Sequence, residues 1–255
     1  MSVLTIIITI VIIIIIFMLV KHYMSDPNTI LKLQNGQTAA IINATSLATN
    51  GTSVPSTNFA YSVWFYINNW NYRYGEPKVI FGRMSSVSSQ GQGSVSGING
   101  LDPCPSVVLG ALENNISISL GCYPGVDQQP TTTGGTTVVH TCSITNVPIQ
   151  KWVNLTMSVY GRSMDVYIDG KLVKTCLLPG IANVNNSANI YVTPLGGFDG
   201  WTSKLQYYPN ALNPQDAWNI YSKGYTTASL SSLFGAYQVE VSLIDNGTTQ
   251  NSVTF

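Results

Sequence analysis

Past its first two dozen residues the chain is written mostly in period two. Short apolar and polar alternations recur, separated by Gly, Pro, Asn and Asp, which predicts an all-β, two-sheet antiparallel sandwich. YSVWFYI (61–67) is apolar on both faces and reads as a central strand with Tyr61, Val63, Phe65 and Ile67 on one side. KVIFGR (78–83) is expected as its neighbour, and WVNLTMSVY supplies a second stripe of Val153, Leu155, Met157 and Val159. Turn residues set three hairpin registers. Around Asn114 and Asn115, Leu112 should face Ser117 and Ala111 should face Ile118. Around Asp169 and Gly170, a type I′ turn should pair Tyr167 with Leu172, Val166 with Val173 and Asp165 with Lys174. Around Asn246 and Gly247, Val241 should face Ser252, and this tail is expected to complete a sheet edge. Helical signals collect at one place only. Asn213 is a good N-cap, Pro214 suits the first helical position, Asp216 complements the dipole, and Gly224 ends the segment. Ala217, Ile220 and Tyr221 share the face expected to pack on the sandwich.

The N-terminus breaks the pattern. Val3 to Val20 runs eighteen residues without a charge, long enough at ~1.5 Å per residue to cross most of a ~30 Å hydrocarbon layer. It lacks the positive start and small-residue cleavage site of a signal peptide, so a transmembrane anchor is expected over 1–24. A juxtamembrane segment with the first strands follows over 25–58, and the sandwich with its C-terminal hairpin fills 59–255. Lys21 and Lys32 favour a cytoplasmic domain by the positive-inside rule. Sequons at Asn43, Asn50, Asn115, Asn154, Asn185 and Asn246 favour the opposite side.

Composition narrows the chemistry. Eleven basic residues balance eleven acidic ones and only 9% of residues are charged, so there is no footprint for nucleic acid. Glycosidase chemistry needs two carboxylates ~5–10 Å apart, yet the acids stand singly along the chain. With His22 and His140 the only histidines, a histidine-based acid–base pair has little to draw on, and no enzyme activity is expected. No cofactor is expected either. A calcium site would have to gather Asp102, Asp127 and Asp199 from separate loops. The Gly/Ser-rich stretch between Met84 and Asp102 reads as a surface loop.

Two features remain as candidates. The loop NNWNYRYGEP sets Trp70, Tyr72, Arg73 and Tyr74 in a polar context, which suits a protein interface and, alternatively, a glycan. Cys104, Cys122, Cys142 and Cys176 permit three pairings or free buried thiols. The 114–115 hairpin returns Cys122 toward Cys104, which favours that bridge and leaves Cys142 with Cys176.

The run KWVNLTMSVYGRSMDVYIDGKLV (151–173) resembles the signature of laminin-G-like modules of the concanavalin-A superfamily: a Trp opening a strand, a Gly turn, then Tyr-x-Asp-Gly. GFDGWTSKLQYYPNALNPQDAWNIYSKG (197–224) resembles the strand and capping helix that end such modules. The resemblance implies a jelly-roll sandwich in which Trp152, Tyr167, Asp169, Gly170, Gly200, Asn213 and Pro214 are structural. Apart from the resemblance, Trp152 opens its strand, and its indole is expected to cover one end of the sandwich. An Ile-rich anchor followed by an Asn/Thr-rich domain also resembles membrane proteins of large double-stranded DNA viruses of algae and amoebae. That implies a minor capsid or virion membrane protein, bound to lipid through residues 3–20 and to neighbouring capsid proteins. The alternative is a membrane-bound lectin displayed at a cell or virion surface.

Overall fold

A computed structural model describes residues 11–12, 14–16, 18, 26–47, 57–84, 102–131, 134–226, 240–245 and 248–254. The chain divides into a unit of Pro27–Tyr225 and a second unit formed by Met1–Asp26 with Thr226–Phe255.

Pro27–Tyr225 is a β-sandwich of two antiparallel sheets. Strands β1 (Thr29–Leu31), β13 (Asp199–Tyr208), β4 (Phe59–Asn69), β9 (Trp152–Tyr160), β10 (Ser163–Ile168) and β11 (Lys171–Leu177) follow one another in the first sheet, with β2 (Gln34–Asn35) also on β13. The second sheet runs β3 (Ala40–Ile42), β12 (Ile190–Val192), β5 (Lys78–Arg83), β6 (Ser106–Leu109), β7 (Ile116–Cys122) and β8 (Val138–Ile144). Tyr61, Val63, Phe65 and Ile67 of β4 and Val153, Leu155, Met157 and Val159 of β9 all enter the core, as their alternation predicts. Tyr61 reaches Phe81 of the facing sheet, ring centroids 5.4 Å apart.

The expectation that 78–83 lies beside 61–67 is corrected. β4 is flanked by β13 and β9, and the 70–77 loop carries the chain across to the other sheet, where β5 pairs with β6 and β12. An antiparallel hairpin and a sheet-to-sheet crossing need similar loop lengths, so the spacing did not distinguish them.

Hairpin registers show where turn chemistry suffices. At the β10–β11 turn Asp169 and Gly170 have φ of 50° and 72°, and Tyr167 faces Leu172 as a type I′ turn requires. A bulge then shifts the ladder, so Val166 faces Lys174 rather than Val173, and Asp165 faces Thr175 rather than Lys174. The Thr175 hydroxyl donates to Asp165 at 2.6 Å, replacing the expected ion pair. The β6–β7 register is corrected by four residues: Ser117 faces Val108 and Ile118 faces Val107. Gly110 to Asn115 form the connection, closed by Gly110 N donating to Asn115 O at 2.9 Å, with Asn115 N donating to Glu113 O at 2.8 Å. The C-terminal strands β14 (Glu240–Asp245) and β15 (Thr248–Thr254) pair Val241 with Val253 and Ser242 with Ser252, one residue from expectation. They form a two-stranded sheet of their own, so the expected sheet edge is not completed among the described residues.

Helix α1 (Pro214–Ser222) forms as its signals predict, with a capping box in which Asp216 N donates to Asn213 Oδ1 and Asn213 N donates to Asp216 Oδ2. It crosses the outer face of the first sheet, burying Ala217 and Ile220. Gly170 is fixed twice over, because a Cβ there would also lie 3.0 Å from the Tyr221 Cβ. Beneath the helix Ser62, Asn154 and Thr156 form a buried polar cluster, with Asn154 Nδ2 and Thr156 Oγ1 each 3.0 Å from Ser62 Oγ.

Cys142 and Cys176 are bonded and tie β8 to β11, one strand from each sheet. The Cys104–Cys122 bridge is corrected: both are buried free thiols, and burial pushes the Cys104 thiol up to about 12. The expected span 3–20 lies largely outside the described residues. Val11, Ile12, Ile14, Ile15, Ile16 and Met18 within it are helical and exposed. Among the described residues no helix is long and apolar enough to cross a membrane. The 85–101 part of the Gly/Ser-rich stretch is likewise outside them.

Candidate functional site

The outer face of the first sheet carries aromatic side chains where an exposed sheet face would ordinarily be polar. Because β4 is apolar on both sides, Trp64 and Tyr66 point away from the core that Val63 and Phe65 enter. Register places Trp201 opposite Tyr66, and Tyr66 opposite Trp152. Asn35 lies opposite Trp201 on its other side, so Asn35, Trp201, Tyr66 and Trp152 form one row across four strands.

Ring contacts then run on without a gap. Tyr66 meets Trp152 at 5.8 Å, Trp152 stacks on Tyr225 at 4.4 Å, and Tyr225 meets Trp64 at 6.0 Å. Trp64 stacks on Tyr221 at 5.6 Å, and Tyr221 meets Trp218 at 5.5 Å. Trp201, Trp218 and Tyr225 are exposed, while Trp64 is buried beneath them. Four of the chain's five tryptophans therefore stand on this face. The expectation that Trp152 covers the end of the sandwich is corrected: its indole is held in this band by Tyr225. Polar groups border it, among them Lys151 paired with Asp169 at 3.3 Å, and Asp199 accepting from Asn68 Nδ2 at 3.2 Å. A continuous aromatic surface of this kind supplies large, rigid contact area at low conformational-entropy cost.

The 68–77 loop, the candidate read from sequence, is divided by the fold. Trp70 turns inward and packs on the core, with Lys78 Nζ 4.8 Å from its ring centroid. Tyr72 donates to Gly196 O at 3.0 Å, and Arg73 bonds both Leu195 O and Glu76. Tyr74 alone of the four extends into solvent. The loop is thus bound to the 193–197 connection rather than offering a stacking platform.

Lys78 is 1% exposed, and its Nζ and the Trp70 Nε1 have no hydrogen-bond partner. Burial lowers the Lys78 pKa from its ordinary value, and the Arg73 guanidinium acts in the same direction. Asp102 is engaged by Thr136 and Thr137, whose amides and hydroxyls donate to it over 2.7–3.2 Å. Burial opposes its ionisation, but these bonds together outweigh burial and hold the carboxyl below its usual range. Among the described residues no three His, Cys, Asp or Glu side chains gather as metal ligands, so Asp102, Asp127 and Asp199 are not brought into one calcium site.

No family model matches the chain, and no curated protein matches it. Solved structures do. The crystal structure of the botulinum neurotoxin serotype D binding domain superposes with a TM-score of 0.51 at 16% identity, covering 75% of this chain and 41% of that one. The receptor binding domain of botulinum neurotoxin D gives 0.50 at 16% identity, covering 75% and 43%. The binding domain of botulinum neurotoxin DC in complex with rat synaptotagmin II gives 0.50 at 16%, covering 73% and 40%. The chain spans about two fifths of the length of these structures, and at this identity the likeness is one of fold: a β-sandwich.

Proposed function

We propose that this chain is a non-catalytic binding module, held at a membrane by residues 3–20 and engaging its partner through the aromatic band on the first sheet. The observation that carries the reading is the unbroken series of ring contacts from Tyr66 to Trp218, with Trp201 beside it. A monomeric domain has no packing need for exposed Trp201, Trp218 and Tyr225 together, whereas Trp and Tyr are the residues that anchor protein interfaces. The similar sandwiches named above are binding domains, one of them solved with a protein bound, which agrees with this use of the fold. Under the resemblance to virion membrane proteins, the partner is a neighbouring capsid protein and the module links an internal membrane to the shell.

A glycan is the second reading. The row Asn35, Trp201, Tyr66 and Trp152 favours it, because it sets an amide beside aromatic faces along a line that a sugar chain can follow.

The test places a photo-crosslinking amino acid at Trp201 or Trp218 of the full chain in its native particles or cells, alongside a glycan array. A discrete protein adduct from both positions, absent when the label sits at exposed Ile41 on the second sheet, supports the first reading. Array binding lost on Trp201→Ala supports the second, and neither signal would refute the band as a binding face.

A further inference from the structure

Both ends of the sandwich present apolar side chains, so exposure alone does not tell them apart; the path of the chain does. Pro27 begins the unit at the end where Tyr207 N donates to Asn28 O and Thr29 faces Gln206. Phe59, facing Val159, marks the same end of β4, and Tyr160 follows directly in β9. Ser163 faces both Tyr160 and Leu177 there, which places those two exposed side chains on adjoining hairpins. The second sheet reaches this end through Cys122, which bridges to Ala182, while Tyr123 N donates to Ile181 O at 2.9 Å. The rim therefore carries Tyr160 at 70% exposure, Leu177 at 74%, a fully exposed Val126, and Tyr123 and Ile181. The Arg162 guanidinium, also at this rim, is occupied by Leu178 O and Pro179 O at 3.3 and 3.0 Å.

Only residues 21–26 separate the apolar run 3–20 from Pro27, a reach of at most about 20 Å. The eleven-residue β4 makes the sandwich roughly 33 Å long, so this tether is too short to turn the opposite end onto the membrane. We infer that the entry end of the sandwich rests on the lipid surface, with Tyr123 and Tyr160 at headgroup level and Val126, Leu177 and Ile181 against the acyl boundary. This rests on residues 3–20 being an anchor. Tyrosines at the water–lipid boundary and short apolar tips below them are the arrangement an interface favours. The surface acts as a second contact that fixes the tilt of the module, and it leaves the aromatic band on the flank free for its partner.

The bonded pair and the two buried thiols leave no exposed cysteine among the described residues, so single surface cysteines can carry a nitroxide label. Val126→Cys, Leu177→Cys and, at the opposite end, Leu112→Cys are made in the full chain and reconstituted in phosphatidylcholine vesicles. Label relaxation is then measured with oxygen, which partitions into lipid, and with a water-soluble nickel chelate. The expected result is an oxygen-to-nickel ratio at least about threefold higher at 126 and 177 than at 112. Vesicle-bound protein that resists alkaline carbonate but shows equal ratios at all three positions overturns this inference and leaves the anchor standing. Protein stripped by carbonate overturns the anchor reading, and the lipid-facing end with it.

Discussion

Tyr225 lies flat on Trp152, their ring centroids 4.4 Å apart and their planes 10° from parallel. It joins the segment after α1 to the first residue of β9, and Ser203 Oγ fixes the same residue by donating to Tyr225 O at 2.6 Å. Tyr225→Ala should cost about 1 kcal/mol of stability, and a double-mutant cycle with Trp152→Ala should return a coupling of roughly 0.5–1.5 kcal/mol. Chemical unfolding of the four proteins measures it. A coupling near zero would mean that the stack contributes contact area only.

Lys78 carries its ammonium into the core end without an anionic partner. Lys78→Met should raise the unfolding free energy by about 1–3 kcal/mol at pH 7, since it removes an unpaired buried donor and keeps the stem. The advantage has a defined pH dependence. Because the folded-state pKa is lowered, the unfolded chain holds the extra proton between that value and about 10.4, and wild-type stability rises with pH across that window. Urea titrations at pH 7 and pH 10 should therefore show the variant's lead shrinking at the higher pH.

Asp102 gathers the Thr136–Thr137 segment. Asp102→Ala should cost about 1–3 kcal/mol at neutral pH by leaving the buried Thr137 donors without an acceptor. With its folded pKa depressed, this contribution is complete above the unfolded value of about 3.9 and is lost as pH falls through the folded value. Wild type and variant should converge in stability in acid, which thermal melts from pH 6 to pH 2.5 would show.

The cysteine arrangement predicts a thiol count. Native protein should not react with an aromatic disulfide reagent, and unfolded, unreduced protein should release two equivalents, from Cys104 and Cys122. Zero equivalents would mean a second bridge. Removing the Cys142–Cys176 link, which closes a separation of 34 residues, should cost roughly 3–4 kcal/mol on the chain-entropy estimate.

Legibility in the sequence followed the range of the interaction. The stripes of β4 and β9 and the Asn213 cap were legible because alternation and capping are local. The Asp169–Gly170 turn fixed Tyr167 opposite Leu172, but the bulge one step further was not written in the turn itself. Placing β5 in the second sheet depended on both hydrogen-bonding edges of β4 being taken, by β9 and by the distant β13, and no short-range pattern carries that. The aromatic band leaves a signal in the sequence, but one that two-sided burial would leave as well. YSVWFYI is apolar on both sides, yet its outer side meets only a nine-residue helix, so Trp64 and Tyr66 exceed what that helix can cover. The Trp70 loop carries the plainer sequence signal because its rings stand among polar residues, although the fold commits Trp70 to the core and Tyr72 to Gly196.

Pro27 enters the sandwich beside Tyr207 at its rim, whereas Tyr225 leaves it over Trp152 on the outer face of the first sheet. The Trp152 indole therefore keeps its cover only while the chain between α1 and Tyr225 is intact.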